Sequence, residues 1–478
     1  MAKKIIPYVV SLFCLLVGLK FAPISAIIIW ILIGILSFSN KRYGMVAFVV
    51  GGLLFAQTLS HQLVGESPHA RMLLRMGITL LLGLCVFIRL ASLRKIHKSL
   101  PMGVLFVYVL YMVLPSAFGW FPIISYLKIA LFLLFAYGLI CCGYLVASSA
   151  SAIESARVGV VAIAAFCIWA SVVAYWFPSI GYSMQISKAA VWGISEYDAL
   201  NTGGLKLFSG IFYHSQTMGP VIAILVGVVL CDMFFVERRF SLWHLLIVAP
   251  APLLTYMSRS RTALLTLGVV MFVGFLVVIR DKAMMPVVQR RVRFAAWIVS
   301  AIIVCAAIVM EVTRGTMSDW LLKGVDSSPQ GHELSDIAAT RMGKAEENLY
   351  DFKKNPYVGK GFQTHELHRE LFRAGVINYF SAPVEKGILP LMILGEGGVV
   401  GAIIFLVFIC VFYSKCWRYG YSALAILMSG FLAANMGEAT FFSPSGAGGD
   451  FWFVCIMGGW IIDLTRAVPI KIFRQNVV

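Results

Sequence analysis

Charge is what this sequence has least of. Asp, Glu, Lys and Arg make up 13% of its 478 residues, where soluble domains carry roughly a quarter, so a water-solvated globule is excluded. Short alternating apolar and polar segments are also missing, which excludes a closed transmembrane barrel. Cysteine is absent from the long polar connections, because all ten cysteines fall in apolar runs or at their edges. That distribution excludes a disulfide framework and a cysteine metal site there. His365-Glu366-Leu367-His368 lacks the four-residue histidine spacing of zincin helices, so neither a metal nor another cofactor is expected. A cleavable leader is not expected either: the apolar run after Met1-Ala2-Lys3-Lys4 is followed almost at once by a second, without a convincing small-residue cleavage site. No internal repeat and no inverted pair of Gly/Pro-broken segments is visible, which speaks against a transporter.

What is abundant is apolar sequence. Sixty per cent of the residues are hydrophobic and the mean hydropathy is +0.88. Runs of about 17 to 25 apolar residues, each long enough to cross a bilayer as a helix, recur along the chain. They predict spans near 5–21, 24–39, 43–60, 72–91, 102–117, 123–147, 157–176, 217–235, 242–257, 262–279, 294–311, 387–412, 420–435 and 449–465. The expected fold is all-α: a polytopic integral membrane protein with about 12–14 transmembrane helices, residues 1–478 forming one helical domain.

The net charge of +17 does not call for nucleic acid, since no basic stripe with interleaved aromatics is present. It follows instead from basic residues on alternate connections. Lys41-Arg42, Arg89 with Arg94/Lys95/Lys98, Arg238-Arg239, the 280–293 run, Lys415/Arg418 and Arg466/Lys471/Arg474 are placed this way, while the short connections between them are nearly free of positive charge. The bias of Lys and Arg towards cytoplasmic loops then places both termini in the cytoplasm. Two long connections, 177–216 and 312–386, fall outside. The second is the large extracytoplasmic loop, with the makeup of a small folded cap: amphipathic stretches at 346–352 and 367–372, interrupted by Asn355-Pro356 and Gly359/Gly361.

Three clusters carry chemistry. Ser258-Arg259-Ser260-Arg261-Thr262-Ala263 lies at the outer junction of two spans. Arginines there serve either as snorkelling anchors or as a cationic clamp for a phosphate ester, with planar bidentate bonds that Lys cannot make. Thr340-Arg341 precedes the turn-like stretch 355–362, Asn-Pro-Tyr-Val-Gly-Lys-Gly-Phe, which reads equally as a surface arginine before a turn. Glu385-Lys386-Gly387 opens a span that contains Glu396-Gly397-Gly398. A carboxylate in a first helical turn suits the helix dipole. Glu396, inside an apolar run, is either structurally paired or functional, and its small neighbours would admit a close-packed helix. His214 reads as a packed interfacial residue or as a ligand contact.

In order, spacing and membrane side these pieces resemble the bacterial O-antigen ligase and polysaccharide polymerase superfamily. The family's Ser-Arg-small-Ala motif is matched by Ser260-Arg261-Thr262-Ala263. Its loop arginine and Asn/Pro-x-x-Gly-x-Gly turn are matched by Arg341 and 355–361. The following span's start and its Glu-x-Gly are matched in position by Glu385-Lys386 and Glu396-Gly397-Gly398. An earlier Gly-x-Phe/Tyr-x-His stretch is similar to 210–216, which holds His214, and Lys206 stands near where some members carry an arginine. The resemblance spans roughly residues 200–410. Glu385 occupies the place where ligases usually put a histidine, which points to a carboxylate base and away from the ligase.

The resemblance implies transfer of a glycan from undecaprenyl diphosphate, at the periplasmic side of the bacterial inner membrane. In that reading Arg261 and Arg341 stabilise the departing diphosphate without a metal, and Glu385 removes the acceptor proton. Arg259, Ser260, Lys206, His214 and Lys386 contact the diphosphate or glycan. Direct attack inverts the anomeric centre. The partners implied are the lipid-linked oligosaccharide, membrane lipid, and a chain-length regulator or export proteins. The polymerase is the leading reading, and the ligase that uses lipid A-core as acceptor is second. A lipid-linked oligosaccharide flippase, or a structural member of an export complex, is the rival from another class.

Overall fold

The computed structural model describes residues 2–64, 68–89, 102–119, 121–184, 206–238, 241–258, 260–280, 346, 348–363, 387–437 and 439–467. The apolar runs form helices, the conformation that satisfies its own backbone without water. They are α1 (Ala2–Phe21), α2 (Pro23–Ser39), α3 (Tyr43–Thr58), α4 (Pro68–Arg89), α5 (Gly103–Tyr111), α6 (Val113–Ala117), α7 (Pro122–Val146) and α8 (Ala150–Ala174). After them come α9 (Ser215–Cys231), α10 (Leu242–Val248), α11 (Ala251–Met257), α12 (Arg261–Arg280), α13 (Leu389–Tyr419), α14 (Ser422–Ala434), α15 (Gly446–Phe453) and α16 (Ile461–Ala467). Among the described residues eight helices are long and apolar enough to cross a membrane, and five shorter apolar ones accompany them. Each span expected from the sequence falls on one of these, except 294–311, which lies outside the described residues.

Helix α9 runs through the centre, buried from Met218 to Val229 against α8, α12, α14 and the 454–460 turns. The outer helices α1, α4, α12 and α13 present large apolar side chains outward, such as Phe13, Met76, Phe272 and Leu406. That is the distribution of a bundle whose surroundings are as apolar as its interior.

In the connection 177–216, β1 (Tyr182–Met184) pairs antiparallel with β2 (Lys206–Phe208), Tyr182 opposite Phe208. Two expectations need correction. The expected span 242–257 is two short helices, α10 and α11, meeting at Ala249-Pro250, because proline has no N–H to continue the ladder. The long helix α13 is interrupted at Gly398, whose φ of 62° and ψ of −165° are not helical.

The helix ends sort into two groups. One end gathers the close of α3, where Tyr213 N–H donates to Thr58 O at 2.8 Å, with the starts of α9, α12 and α13 and the close of α14. The opposite end gathers the starts of α3 and α8, the close of α9, and Lys41, Arg42, Arg89 and Arg238. There Arg157, 5% exposed, donates to both oxygens of Glu154 at 3.0 Å, to Asp232 at 3.1 Å and to Glu237 at 3.5 Å. His244 Nε2 lies 2.9 Å from the other oxygen of Asp232, and Lys4 reaches Glu154 at 3.0 Å. Asp232 opens a stretch of π-helix, Asp232–Glu237, whose wider turn accommodates these side chains at the end of α9.

Candidate functional site

The site begins where α9 begins. His214 stands at its N-cap in extended conformation, and its Nδ1 accepts from Gln216 N–H at 3.2 Å. Preceding residues are zipped to α3: Ser60 N–H donates to Ile211 O at 2.8 Å, beside the Leu59–Phe212 bridge. Against the first turns of α9 lies the Ser258–Ala263 stretch. Ser258, buried, donates to Thr255 O at 2.6 Å and accepts from Ser260 N–H at 3.3 Å. Ser260, also buried, caps α12 by accepting from Ala263 N–H through its carbonyl at 3.0 Å and its hydroxyl at 3.4 Å, the role hydroxyl residues take at a helix start. The two helices approach closely because residue 219 is glycine: a Cβ there would stand 2.5 Å from that of Ala263 and 2.6 Å from Ser258 Oγ. Arg261 is the first residue of α12 and is half-buried.

A third strand of chain closes the arrangement. Between α14 and α15, Asn435 is fully buried; its Oδ1 accepts from Thr440 N–H at 2.7 Å and its Nδ2 donates to Phe431 O at 2.8 Å. Its carbonyl accepts from Leu389 N–H at 3.0 Å, and Ala439 N–H donates to Gly387 O at 2.9 Å. The start of α13, four residues after Glu385, is thereby pinned to this connection. Gly437 packs directly on Thr262. Gln216, Thr217, Pro220, Thr262, Ala434, Thr440, Ala447 and Phe451 line a crevice where these pieces meet.

Residues 355–363 enter the break in α13, and the two backbones complete each other. Lys360 N–H donates to Gly395 O at 3.1 Å and Gly361 N–H to Glu396 O at 3.0 Å, while Val399 N–H donates to Pro356 O at 2.8 Å and Val400 N–H to Tyr357 O at 3.2 Å. Tyr111 adds a hydroxyl to Gly397 O at 3.0 Å. Gly359, at φ +77°, has no room for a Cβ against the Glu396 carbonyl, and Gly398, at φ +62°, has none against Tyr357; both need the left-handed backbone that glycine adopts at no steric cost. The helix expected to pack closely beside Glu396 is present as α5, whose Tyr108 and Tyr111 lie against Gly397 and Gly401, and this turn fills the break beside it.

The turn is wired further. Phe362 N–H donates to Ser116 Oγ at 3.0 Å, Ser125 Oγ to Phe362 O at 2.9 Å and Lys128 Nζ to Gln363 O at 3.1 Å. Gln363 Nε2 donates to Phe442 O at 2.8 Å, which ties the turn to the 435–445 connection. Lys360 pairs with Asp351.

Of the residues the sequence singled out, Arg261, Ser260 and His214 are brought to one end of the bundle. Lys206 lies in β2, paired with Met184. Arg259, Arg341, Glu385 and Lys386 lie outside the described residues. Sequence reasoning missed Arg71, whose guanidinium sits 5.5 Å from the Tyr213 ring beside His214, and the whole 435–445 connection. Arg71, in the first turn of α4, falls in the sequence between the expected spans 43–60 and 72–91, where it is the one Lys or Arg of residues 61–71, and that exception was the available signal. Asn435 and Thr440 carry none. No protein-family model matches the chain, and no curated protein matches it.

Proposed function

We propose that this chain is a membrane-embedded glycan transferase of the polysaccharide polymerase type. It moves a glycan from undecaprenyl diphosphate to a hydroxyl of a second lipid-linked repeat, on the periplasmic side of the bacterial inner membrane. The observation that carries the reading is convergence. His214–Gln216, Ser258–Thr262, the 355–363 turn and the start of α13 come from distant parts of the chain and are joined at one end through 435–442.

The chemistry asks for few parts. As the acceptor oxygen bonds to the anomeric carbon, the bond to the diphosphate breaks and its electron pair leaves with the phosphate oxygen. Arg261, at the start of α12, meets that charge with a guanidinium and stands where a helix start favours anions. Arg341 is assigned the same work, and Glu385 takes the acceptor proton. The metal-independence of the reading rests on those two arginines.

One feature bears on the rival class. Broken membrane helices coordinate cations in transporters through unwound carbonyls. Here the carbonyls of Gly395, Glu396 and Gly397 already accept from Lys360, Gly361 and Tyr111, which favours a scaffold over an ion path. The test replaces Arg261, Arg341 and Glu385 singly by alanine in cells making the polymer. Single lipid-linked repeats should accumulate as long chains vanish, and full-length polymer from all three variants would contradict the reading.

A further inference from the structure

The crevice between α9, α12 and the 435–448 connection holds a polar atom that the fold leaves open. Thr440 Oγ1 is buried and has no hydrogen-bond partner among the described residues, which leaves the desolvation of a hydroxyl uncompensated. A backbone held less tightly would relieve it. Instead, Thr440 N–H is fixed by Asn435 Oδ1 at 2.7 Å and Thr440 O accepts from Ser443 N–H at 2.9 Å, so the backbone is held and the hydroxyl can turn only about its own side-chain bond. The rest of the wall is of two kinds. Gln216, Thr217 and Thr262 offer an amide and hydroxyls, while Pro220, Ala434, Ala447 and Phe451 are apolar. Among the described residues no charged side chain lines it. The enclosed part has room for about one water-sized group.

We propose that this crevice is a binding subsite for one hydroxyl of a neutral sugar, with Thr440 as its hydrogen-bond partner and the ring lying across the mouth. The class of ligand follows from the lining. Neutral amide and hydroxyl groups beside a ring and a proline suit an uncharged group with polar and apolar faces. The position beside Thr262, one residue from Arg261, puts the sugar next to the place assigned to the diphosphate, so the inference rests on the transferase reading. A site that hydrogen-bonds a hydroxyl discriminates sharply against the analogue lacking it, because the protein group is then left unpaired.

The test uses the full chain in lipid nanodiscs with methyl hexopyranosides of gluco, galacto and N-acetylglucosamine configuration, each with its monodeoxy series, measured by saturation-transfer NMR. At least one parent glycoside binds, and one of its deoxy analogues binds about 3- to 10-fold more weakly, the ratio expected for a single neutral hydrogen bond. Thr440→Val shows the same loss with the parent glycoside and no further loss with that analogue, while Thr440→Ser retains binding. The deoxy series on the unmodified chain carries the test even where Thr440→Val does not fold. No binding by any parent glycoside, equal binding across the deoxy series, or unchanged binding by folded Thr440→Val overturns the proposal. Inorganic diphosphate separates the two readings. If it fails to bind while the Thr440 coupling holds, the transferase reading falls and the subsite stands. Arg261-dependent diphosphate binding without Thr440 coupling removes the subsite alone.

Discussion

The two ends of α9 treat polar groups in opposite ways. At its close, Asp232 is fully buried and is met by Arg157 on one oxygen and His244 on the other, with Glu154, Glu237 and Lys4 extending the set. Each carboxylate of that set faces a basic side chain, although His244 Nδ1 has no hydrogen-bond partner among the described residues. At its start, Ser215 Oγ and Thr440 Oγ1 are buried without partners among the described residues, and the helices are held together by glycines and backbone hydrogen bonds. Closed charge networks hold structure, because breaking one strands a buried charge. A surface with open hydroxyls is suited to a ligand that completes them.

The comparison predicts effects that separate stability from activity. Arg157→Ala should be the most costly change, destabilising by about 3–5 kcal/mol. It should be seen as loss of the monodisperse fraction on heating in detergent, with activity falling only as folded protein falls. Arg261→Ala should do the reverse, lowering transfer roughly 100- to 1,000-fold while the thermal midpoint stays near that of the parent. A comparable fall in thermal stability would erase the distinction between the two ends. Gly359→Ala should cost about 1–3 kcal/mol for the forced backbone, and should lower both readouts because the turn and the α13 break support each other. Lys4→Ala should have the smallest effect, about 0–1 kcal/mol, since Lys4 is 64% exposed and Glu154 keeps its bidentate pair with Arg157. A thermal midpoint that moves as far as for Arg157→Ala would make Lys4 an integral part of the closed network.

The helices were legible because a long apolar run that satisfies its own backbone has few alternatives, and thirteen expected spans fall on apolar helices within the described residues. The break at Gly398 was not legible. A Glu-Gly-Gly stretch inside an apolar run reads as close helix packing, and the 355–363 segment that fills it lies some way upstream in the chain. Pro250 was a local signal of interruption that an apolar run of sufficient length overrode. For the site, the charged motifs stood out because arginine at a membrane boundary needs a reason. The 435–445 connection did not, since an asparagine folding a turn and a threonine in a crevice acquire meaning only from their neighbours. The Arg157 network was hidden differently: its five carboxylate, imidazole and ammonium members come from α1, α8, α10 and the end of α9, and apart from the i,i+3 pair Glu154–Arg157 no local spacing links them.

The most direct measurement of the central claim is transfer by the purified full chain in liposomes supplied with an undecaprenyl diphosphate-linked repeat unit, with product length read on a gel. The account predicts a ladder of longer lipid-linked glycans from the parent chain and only the starting unit from Arg261→Ala. No lengthening by the parent, or an identical ladder from both, would contradict it.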